Sequence, residues 1–174
     1  MFAILLKGLL PKACSNTYKF AMLLYYMRIS AKGRYALAVM VQMAERWGFG
    51  ENIAVANISK NLGISKIYLE QIFSQLKKNG LLNSVKGTQG GYQLARRPKL
   101  ITATDILYAV ENSLFEETKG SASDKAPEVD KSIRLLVFDE LNKKIKETLD
   151  GITLEALCDE AEKHKVDGKD MFYI

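Results

Sequence analysis

The chain has 174 residues, of which 48% are hydrophobic and 26% charged, and its formal net charge is +5. These values are ordinary for a soluble globular protein with one domain, or with one small domain and an accessory element. Two cysteines, Cys14 and Cys158, are too few for a disulfide framework, and no run approaches the ~20 apolar residues of a membrane span. We therefore expect a cytoplasmic protein without a membrane partner.

The charges are divided unevenly along the chain. Residues 27–99 contain 12 Lys/Arg against 3 Asp/Glu, whereas residues 100–174 contain 10 against 17. A basic first half suggests that only this part of the chain contacts a polyanion. The alternative is an uneven scatter of solvated charges.

The first 26 residues differ from the rest, since they are apolar and basic without an acidic residue. A signal peptide is conceivable, but Lys7, Pro11, Lys12 and Lys19 interrupt its apolar region, and no small-residue cleavage site follows. A more ordinary sequence begins at Met27. We interpret residues 1–26 as a mis-assigned start or a disordered leader.

Two helices and a tight turn are predicted next. Ser30 is a suitable N-cap for a helix over about 31–46, and a second, short helix spans roughly 55–61. Gly63 then supplies the backbone freedom that a tight turn needs. The residues expected to be buried are Leu37, Met40, Val41 and Ala44 in the first helix and Ile58 and Leu62 in the second.

A third helix is predicted from Ser65, its N-cap, to about residue 79, before Gly80. Helical spacing gives it a buried face of Leu69, Ile72, Phe73 and Leu76. The opposite face carries Ile67, Gln71, Ser74 and Lys78, and Glu70 and Gln75 flank it. Ile67 is either a partly covered surface residue or an apolar contact to a thymine methyl group.

Two alternating segments, 82–86 and 92–95, predict a hairpin joined by the glycine-rich loop 87–91. A nucleotide-binding phosphate loop is a poor alternative, because the required spacing is missing. The order helix, turn, helix and hairpin predicts a winged helix-turn-helix, a mainly α fold with a small β-hairpin wing.

The second half of the chain is predicted to be helical. Thr102, with Asp105 three residues later, is typical of a capped helix start, and a polar loop follows at 112–127. A long amphipathic helix over about 128–149 is either an intramolecular core element or, as we favour, a subunit interface. Thr153 caps a last helix. The predicted units are thus 27–100 for the winged helix, 101–127 for a helix and loop, 128–162 for a dimerisation helix and C-terminal helix, and 163–174 for a partner-binding tail.

Several separated motifs resemble the Rrf2 family of bacterial transcription regulators. Residues 27–37, MRISAKGRYAL, are similar to the family's opening, and Ile64-Ser65 with 68–71, YLEQ, resembles its recognition helix. Residues 77–81, KKNGL, and 85–92, with VKG and GGY, resemble its helix end and wing. The resemblance covers 27 to about 157.

The resemblance implies a homodimer that places its third helix in the major groove of double-stranded DNA and its wing in the adjacent minor groove. Base and phosphate contacts are expected from Ser65, Lys66, Ile67, Tyr68, Glu70 and Gln71 in the recognition helix. Further phosphate contacts are expected from Lys32, Arg34, Lys86, Gly87, Thr88, Gln89, Arg96 and Arg97. The expected dimer interface consists of Ile133, Leu136, Val137, Leu141 and Ile145.

Many members of this family hold an iron–sulfur cluster on three cysteines in the loop after the fourth helix. Here that loop, 112–127, contains neither Cys nor His, and Cys158 with His164 would supply only two ligands. We therefore expect no cofactor and no metal site. Cys158 is interpreted as a small core residue, with a redox sensor as the alternative.

The C-terminal residues point to a protein partner. Among cluster-free family members, the chain resembles the repressors of cysteine metabolism, which work with cysteine synthase, an enzyme that accepts isoleucine-ended tails. Its substrate O-acetylserine would compete for the same pocket. The apolar end formed by Phe172, Tyr173 and Ile174 either packs on its own subunit or binds this partner.

Two other interpretations stay open. One is a thiol- or ligand-sensing regulator of other genes, and the other is a winged helix that serves only as a protein-interaction module. An enzyme is not expected, because the chain has one histidine and no nucleophile–base arrangement.

Overall fold

The computed structural model describes residues 29–87, 89–111 and 126–170, with side chains through residue 165. The elements in chain order are α1 (Ala31–Ala44), α2 (Val55–Leu62), α3 (Lys66–Lys78), β1 (Leu82–Val85), β2 (Gly91–Leu94), a 3-10 turn (Pro98–Leu100), α4 (Ala103–Val110), α5 (Pro127–Ile133), a π-helical segment (Arg134–Phe138), α6 (Asp139–Asp150) and α7 (Leu154–Asp170). This order confirms the predicted class, mainly helical with one hairpin. The predictions for the leader, Thr88, the polar loop up to residue 125 and the tail at 172–174 lie outside the described residues.

The α2–turn–α3 unit forms as the sequence predicts. Gly63 ends α2 with a φ of +66°, which a side chain would disfavour. The Ser65 hydroxyl then accepts a hydrogen bond from the Tyr68 amide at 3.4 Å and caps α3. The predicted face of α3 is fully buried, and it comprises Leu69, Ile72, Phe73 and Leu76. One side of α3 is therefore fixed in the core and the other is free.

The buried face of α1 differs from the prediction. Ser30 caps the helix as expected, its hydroxyl accepting from the Gly33 amide at 3.2 Å. Met40 and Ala44 are buried, but Leu37 and Val41 are only partly covered. The structure buries Gly33, Ala36, Val39 and Met43 as well. Because α1 packs against α3, α4 and α7, most of its circumference is apolar and a single stripe cannot be selected from spacing alone.

The hairpin pairs β1 with β2 in an antiparallel register that joins Leu82 to Leu94 and Val85 to Gly91. A third short segment extends it, because Ile53 and Tyr92 exchange two backbone hydrogen bonds of 3.0 and 2.9 Å. The sequence analysis did not predict this pairing. It attaches the loop between α1 and α2 directly to the wing.

The chain after the hairpin returns to the same core. Thr102 and Asp105 form the predicted capping box of α4. The Ala103 amide donates to the Ile152 carbonyl at 2.8 Å, and the Leu154 amide donates to the Ile101 carbonyl at 2.8 Å. These bonds fix the start of α7, which packs along α1. The C-terminal helix is therefore part of the unit that contains the hairpin.

The predicted continuous helix over 128–149 is interrupted. A π-helical segment, Arg134–Phe138, separates α5 from α6. A π turn adds a residue to the helical repeat and rotates the helix that follows it. Leu136 is 80% exposed, and Val137 and Leu141 are about half exposed. The predicted interface residues therefore form two groups. Leu136, Val137 and Leu141 are exposed, whereas Ile133 and Ile145 are partly covered.

Candidate nucleic-acid interface

The outer face of α3 carries polar groups that the core does not use. Glu70, Gln71 and Ser74 are exposed along this face, and Ile67 is 75% exposed. Carboxylate and carboxamide groups can read base edges, with glutamate accepting from cytosine N4 and glutamine pairing with adenine. An exposed isoleucine among them is costly in water and suits an apolar contact to a thymine methyl group.

A shallow groove brings the start of α1 beside this face. It has a volume of about 540 Å³ and is lined by Lys32, Ile67, Glu70, Gln71, Ser74 and Gln75. Lys32 thus lies next to the exposed polar groups of α3, where an ammonium can contact a phosphate. Gln75 was not predicted as a site residue, and its buried Oε1 has no hydrogen-bond donor among the described residues.

Two other predicted residues of α3 are held by neighbours. Tyr68 is half-buried, and its ring meets that of Tyr35 edge to face with centroids 5.8 Å apart. Lys66 lies 3.6 Å from the carboxylate of Glu70, one helical turn later. Both partners of this pair are exposed, so the pair contributes little stability and leaves each group available. Tyr68 thus has a packing role besides any contact to DNA.

The wing presents a narrow, glycine-rich tip. Gly87 has a φ of +121°, a conformation that side chains rarely adopt. A Cβ on Gly90 would lie 2.6 Å from the Val85 carbonyl oxygen. Lys86 and Gln89 are exposed on either side of this turn. The Asn52 side-chain amide donates to the Gln89 carbonyl at 2.9 Å and so ties the wing to the α1–α2 loop.

The predicted arginines have different surroundings. Arg34 is exposed near the start of α1 and donates to the Ile29 carbonyl at 3.3 Å. Arg96 donates to Asp105 at 3.3 Å and to the Leu100 carbonyl at 3.4 Å, so it braces the start of α4. Arg97 lines a separate cavity at the other end of α1. The groove therefore gathers Lys32 with α3, but not Arg96 or Arg97.

One functional feature was missed from the sequence. Glu111, which directly follows α4, is buried, and its Oε1 accepts a hydrogen bond from the Ser30 amide at 2.6 Å. A Cβ on Gly33 would lie 2.6 Å from the same oxygen. The carboxylate also opposes the positive end of the α1 dipole. A glycine inside a predicted helix was the only available signal for this close approach.

The described residues offer no ligand set for a metal. They contain no group of three or more His, Cys, Asp or Glu side chains placed to hold one. Cys158 is partly buried, its Sγ lies 3.8 Å from the Val41 carbonyl oxygen, and burial raises the pKa of the thiol to about 11. A cluster needs several thiolates. Neither this thiol nor the cysteine-free loop at 112–127 fits an iron–sulfur cluster.

These observations together define a winged helix-turn-helix DNA-binding protein. A family match described as "Rrf2: Iron-dependent Transcriptional regulator" spans residues 29–160. The chain therefore belongs to the Rrf2 family of transcriptional regulators, as the motifs predicted.

Relatives and solved structures agree with this assignment. The chain is 35% identical over 143 residues to the HTH-type transcriptional regulator IscR of Photorhabdus laumondii, a match covering 82% of this chain and 86% of the relative. The structure of CymR, the global cysteine regulator of B. subtilis, matches with a TM-score of 0.64 and 33% identity over 77% of this chain and 98% of that one. IscR of T. potens matches with a TM-score of 0.63 and 35% identity over 81% and 93%. These relatives are regulators, so this chain is a DNA-binding transcriptional regulator and not an enzyme.

Within the part of the chain that the structure describes, none of the helices is both long and apolar enough to cross a bilayer.

Proposed function

We propose that this chain is a dimeric repressor of sulfur and cysteine metabolism genes that works without an iron–sulfur cluster. The observation that carries the DNA-contact part is the groove that joins Lys32 to the exposed face of α3. In this arrangement α3 enters the major groove, and Gln71, Glu70 and Ile67 meet base edges. Lys32, Arg34 and Lys86 neutralise phosphates and set the salt-dependent affinity.

The contact surface is narrower than the sequence alone suggested. Ser65, Lys66, Gly87 and Gln89 stay in it because they are exposed beside the groove or at the wing tip. Tyr68 contributes through its hydroxyl edge, with its ring packed on Tyr35. We leave Arg97 out because it lines another cavity. Arg96 is kept, because its pair with Asp105 is exposed and leaves the guanidinium available.

Dimerisation is supported by the apolar surface of the π-helical segment and α6. Leu135, Leu136, Val137 and Leu141 are each at least half exposed within one turn or two of each other. Exposed apolar side chains grouped in one short segment are costly in water and are typical of an interaction site. A twofold pair of such surfaces would set two α3 helices on one face of a DNA duplex.

The sulfur-related role rests on similarity and on donor chemistry. The structural neighbour from B. subtilis is a global cysteine regulator, and nearly all of that chain is matched. The absence of cysteine and histidine from residues 112–127 removes the ligands for a cluster-based signal. A protein partner that binds Phe172, Tyr173 and Ile174, such as cysteine synthase, would supply the signal instead.

A DNA-binding selection performed with and without cysteine synthase and O-acetylserine tests this proposal. We expect a nearly palindromic operator whose binding strengthens with the enzyme and weakens when O-acetylserine is added. Deletion of residues 172–174 should abolish the effect of the enzyme while leaving the basal affinity unchanged. An enzyme effect that survives this deletion would contradict the role of the tail.

A thiol sensor is the other candidate, and the geometry disfavours it. Burial raises the pKa of the Cys158 thiol to about 11, whereas reactive cysteines have a lowered pKa. A protein-interaction module would bind DNA weakly and with no preference for one sequence, although its basic residues would still make that binding salt-dependent. Operator binding at least about 1,000-fold tighter than binding to unrelated DNA would exclude that interpretation.

A further inference from the structure

A second cavity lies between the end of α1, the α1–α2 loop, the hairpin and α7. We call it the α1–α7 cavity. Its volume is about 830 Å³, which is within the range of pockets that hold drug-sized ligands. Its walls include Met43 and Trp47 from α1 and the loop, Leu94 from β2, and Cys158 from α7. None of these residues belongs to the groove beside α3.

The walls of the α1–α7 cavity combine an apolar body with a cationic rim. Met43, Ile53, Leu94 and Pro98 give it apolar surface, and the Trp47 indole is 42% exposed. An indole left in solvent is costly but offers a flat ligand a stacking face. Such a surface suits a molecule with an aromatic ring.

The charges at the rim favour an anion. Arg46 is paired with Glu51 at 3.1 Å. Arg97 and Lys99 also line the cavity, and neither makes an ion pair with any of the described residues. Glu155, on the α7 wall, is the remaining charged group. Two free cations against one carboxylate leave a net positive rim, and a guanidinium can hold a carboxylate or sulfonate through two parallel hydrogen bonds.

The cavity is remote from the DNA-contacting groove. Met43 follows Lys32 by about three helical turns, which places the two ends of α1 about 16 Å apart along its axis. A ligand here therefore would not compete with DNA for the same side chains. Any effect on DNA binding has to pass through the protein.

The α1–α2 loop provides a physical connection to the wing. Its Gly50 carbonyl accepts from the Gln93 side-chain amide at 3.2 Å, and Gln93 also lines the cavity. Ile53, another wall residue, is paired with Tyr92 of β2 by two backbone hydrogen bonds. Asn52, between them, holds the Gln89 carbonyl at the wing tip. A ligand that displaces this loop must also displace the hairpin.

We propose that the α1–α7 cavity is an effector site for a small organic anion with an aromatic or other flat apolar body, and that its occupancy repositions the wing. The regulatory part rests on the proposed DNA-binding function, whereas the binding part does not.

Fluorescence offers a direct test, because Trp47 is the only tryptophan of the chain. The probe is 8-anilinonaphthalene-1-sulfonate, an aromatic sulfonate, titrated into the full-length protein. We expect saturable energy transfer from Trp47 to the probe. The Arg97→Gln/Lys99→Gln double variant should bind the probe about fivefold more weakly, since two solvent-exposed charge contacts are lost.

Matched controls separate this site from other apolar surfaces. The Lys131→Gln/Lys143→Gln variant removes the same charge from the helices after residue 126 and should bind the probe as the wild type does. The neutral analogue N-phenyl-1-naphthylamine should bind the wild type and the Arg97→Gln/Lys99→Gln variant equally. Unchanged probe affinity in that double variant, or binding without saturation, would overturn the proposal.

The effect of the probe on DNA binding is measured with the selected operator at a fixed salt concentration. Saturating probe should change the operator affinity of the wild type at least threefold and have a smaller effect on the Arg97→Gln/Lys99→Gln variant. An unchanged operator affinity at saturation would overturn the effector role. If the protein binds the probe at this site but binds no DNA sequence, the proposed function fails and the assignment of the cavity as a ligand site stands.

Discussion

Two regions of the molecule, the head (residues 29–111) and the arm (residues 126–150), use their apolar residues in opposite ways. In the head, large side chains such as Phe73, Met40 and Ile106 are fully buried. In the arm, Leu136 and Val137 face solvent, and none of its residues is buried. Because exposed apolar surface is costly, the contrast supports the proposal that a second subunit covers the arm, whereas the head buries its large apolar residues within one chain.

The largest expected effect is on head stability. Phe73→Ala removes a fully buried ring and should lower the free energy of unfolding by about 3–5 kcal/mol. Leu136→Ala should change it by no more than about 0.5 kcal/mol when the protein is dilute enough to be monomeric. Urea denaturation followed by circular dichroism measures both. Equal losses for the two variants would mean that the arm is buried within its own subunit and would remove the contrast.

The next effect concerns the arm. Leu136→Glu places a charge in the proposed dimer contact, and sedimentation velocity should then show a monomer. Operator affinity should fall on the order of 100-fold, because the two half-sites no longer bind as one unit. The control is Glu140→Gln, an exposed polar change in α6 that should preserve the dimer. A dimeric Leu136→Glu protein would contradict the proposed interface.

A third prediction tests how the end of the head is fixed to its start. Gly33→Ala would bring a Cβ to within 2.6 Å of Glu111 Oε1 and of Ile29 Cγ2. We expect a loss of about 1–3 kcal/mol in the free energy of unfolding from this overpacking. Glu111→Ala should cost a similar amount, since the Ser30 amide loses its acceptor.

The double variant distinguishes a direct contact from two separate effects. The loss of free energy of unfolding in Gly33→Ala/Glu111→Ala should be smaller than the sum of the two single losses by at least about 0.5 kcal/mol, because the clash with the carboxylate is gone. Strict additivity would show that Ile29, not Glu111, sets the requirement for glycine.

A smaller effect distinguishes base recognition by α3 from phosphate binding by the wing. Gln71→Ala should reduce discrimination at one base pair by about 1–3 kcal/mol and leave binding to unrelated sequences unchanged. Lys86→Ala should weaken all sequences alike and reduce the slope of log affinity against log salt by about 1. Fluorescence anisotropy at several salt concentrations measures both quantities. A loss of only general affinity in both variants would contradict the assignment of α3 as the reading element.

The smallest expected effect is a pH dependence. Burial raises the pKa of Cys158 from 9.0 to about 11 in the folded state. The unfolded chain therefore loses this proton first, and the contribution to stability, complete below pH 9, is lost as pH rises from 9 toward 11. Iodoacetamide should alkylate the native thiol more slowly than the urea-unfolded thiol at pH 9, in a Cys14→Ser background. Equal rates would show that the thiol is not shielded.

The sequence predicted most of the head for a physical reason. The third helix has one buried face and one polar face, so its helical spacing identified Leu69, Ile72, Phe73 and Leu76. Capping residues such as Ser65 and Thr102 act through atoms three residues away and can be recognised locally. The family motifs lie in the same segments.

The missed features depend on contacts between distant residues. The pairing of Ile53 with Tyr92 is too short to give an alternating pattern. The engagement of Arg96 by Asp105 and of Ser30 by Glu111 follows from how α4 docks, which spacing does not encode. The π-helical segment was missed because its residues, 134–138, are compatible with an ordinary helix. The helix and hairpin that carry the candidate site were thus predictable, but the contacts that fix them in place were not.

In the proposed dimer, the π-helical segment would also set how the two heads are oriented. If the same five residues, Arg134–Phe138, were wound as an ordinary α-helix, α6 would turn by about 100° relative to α5, because the π turn absorbs one residue of the helical repeat. In a dimer joined through these helices, that rotation would change the angle between the two α3 helices. In the proposed dimer the segment would therefore set the angle between the two α3 helices, and a substitution that converted it to an ordinary α-helix would alter the preferred half-site spacing while the side chains proposed to contact DNA stayed the same.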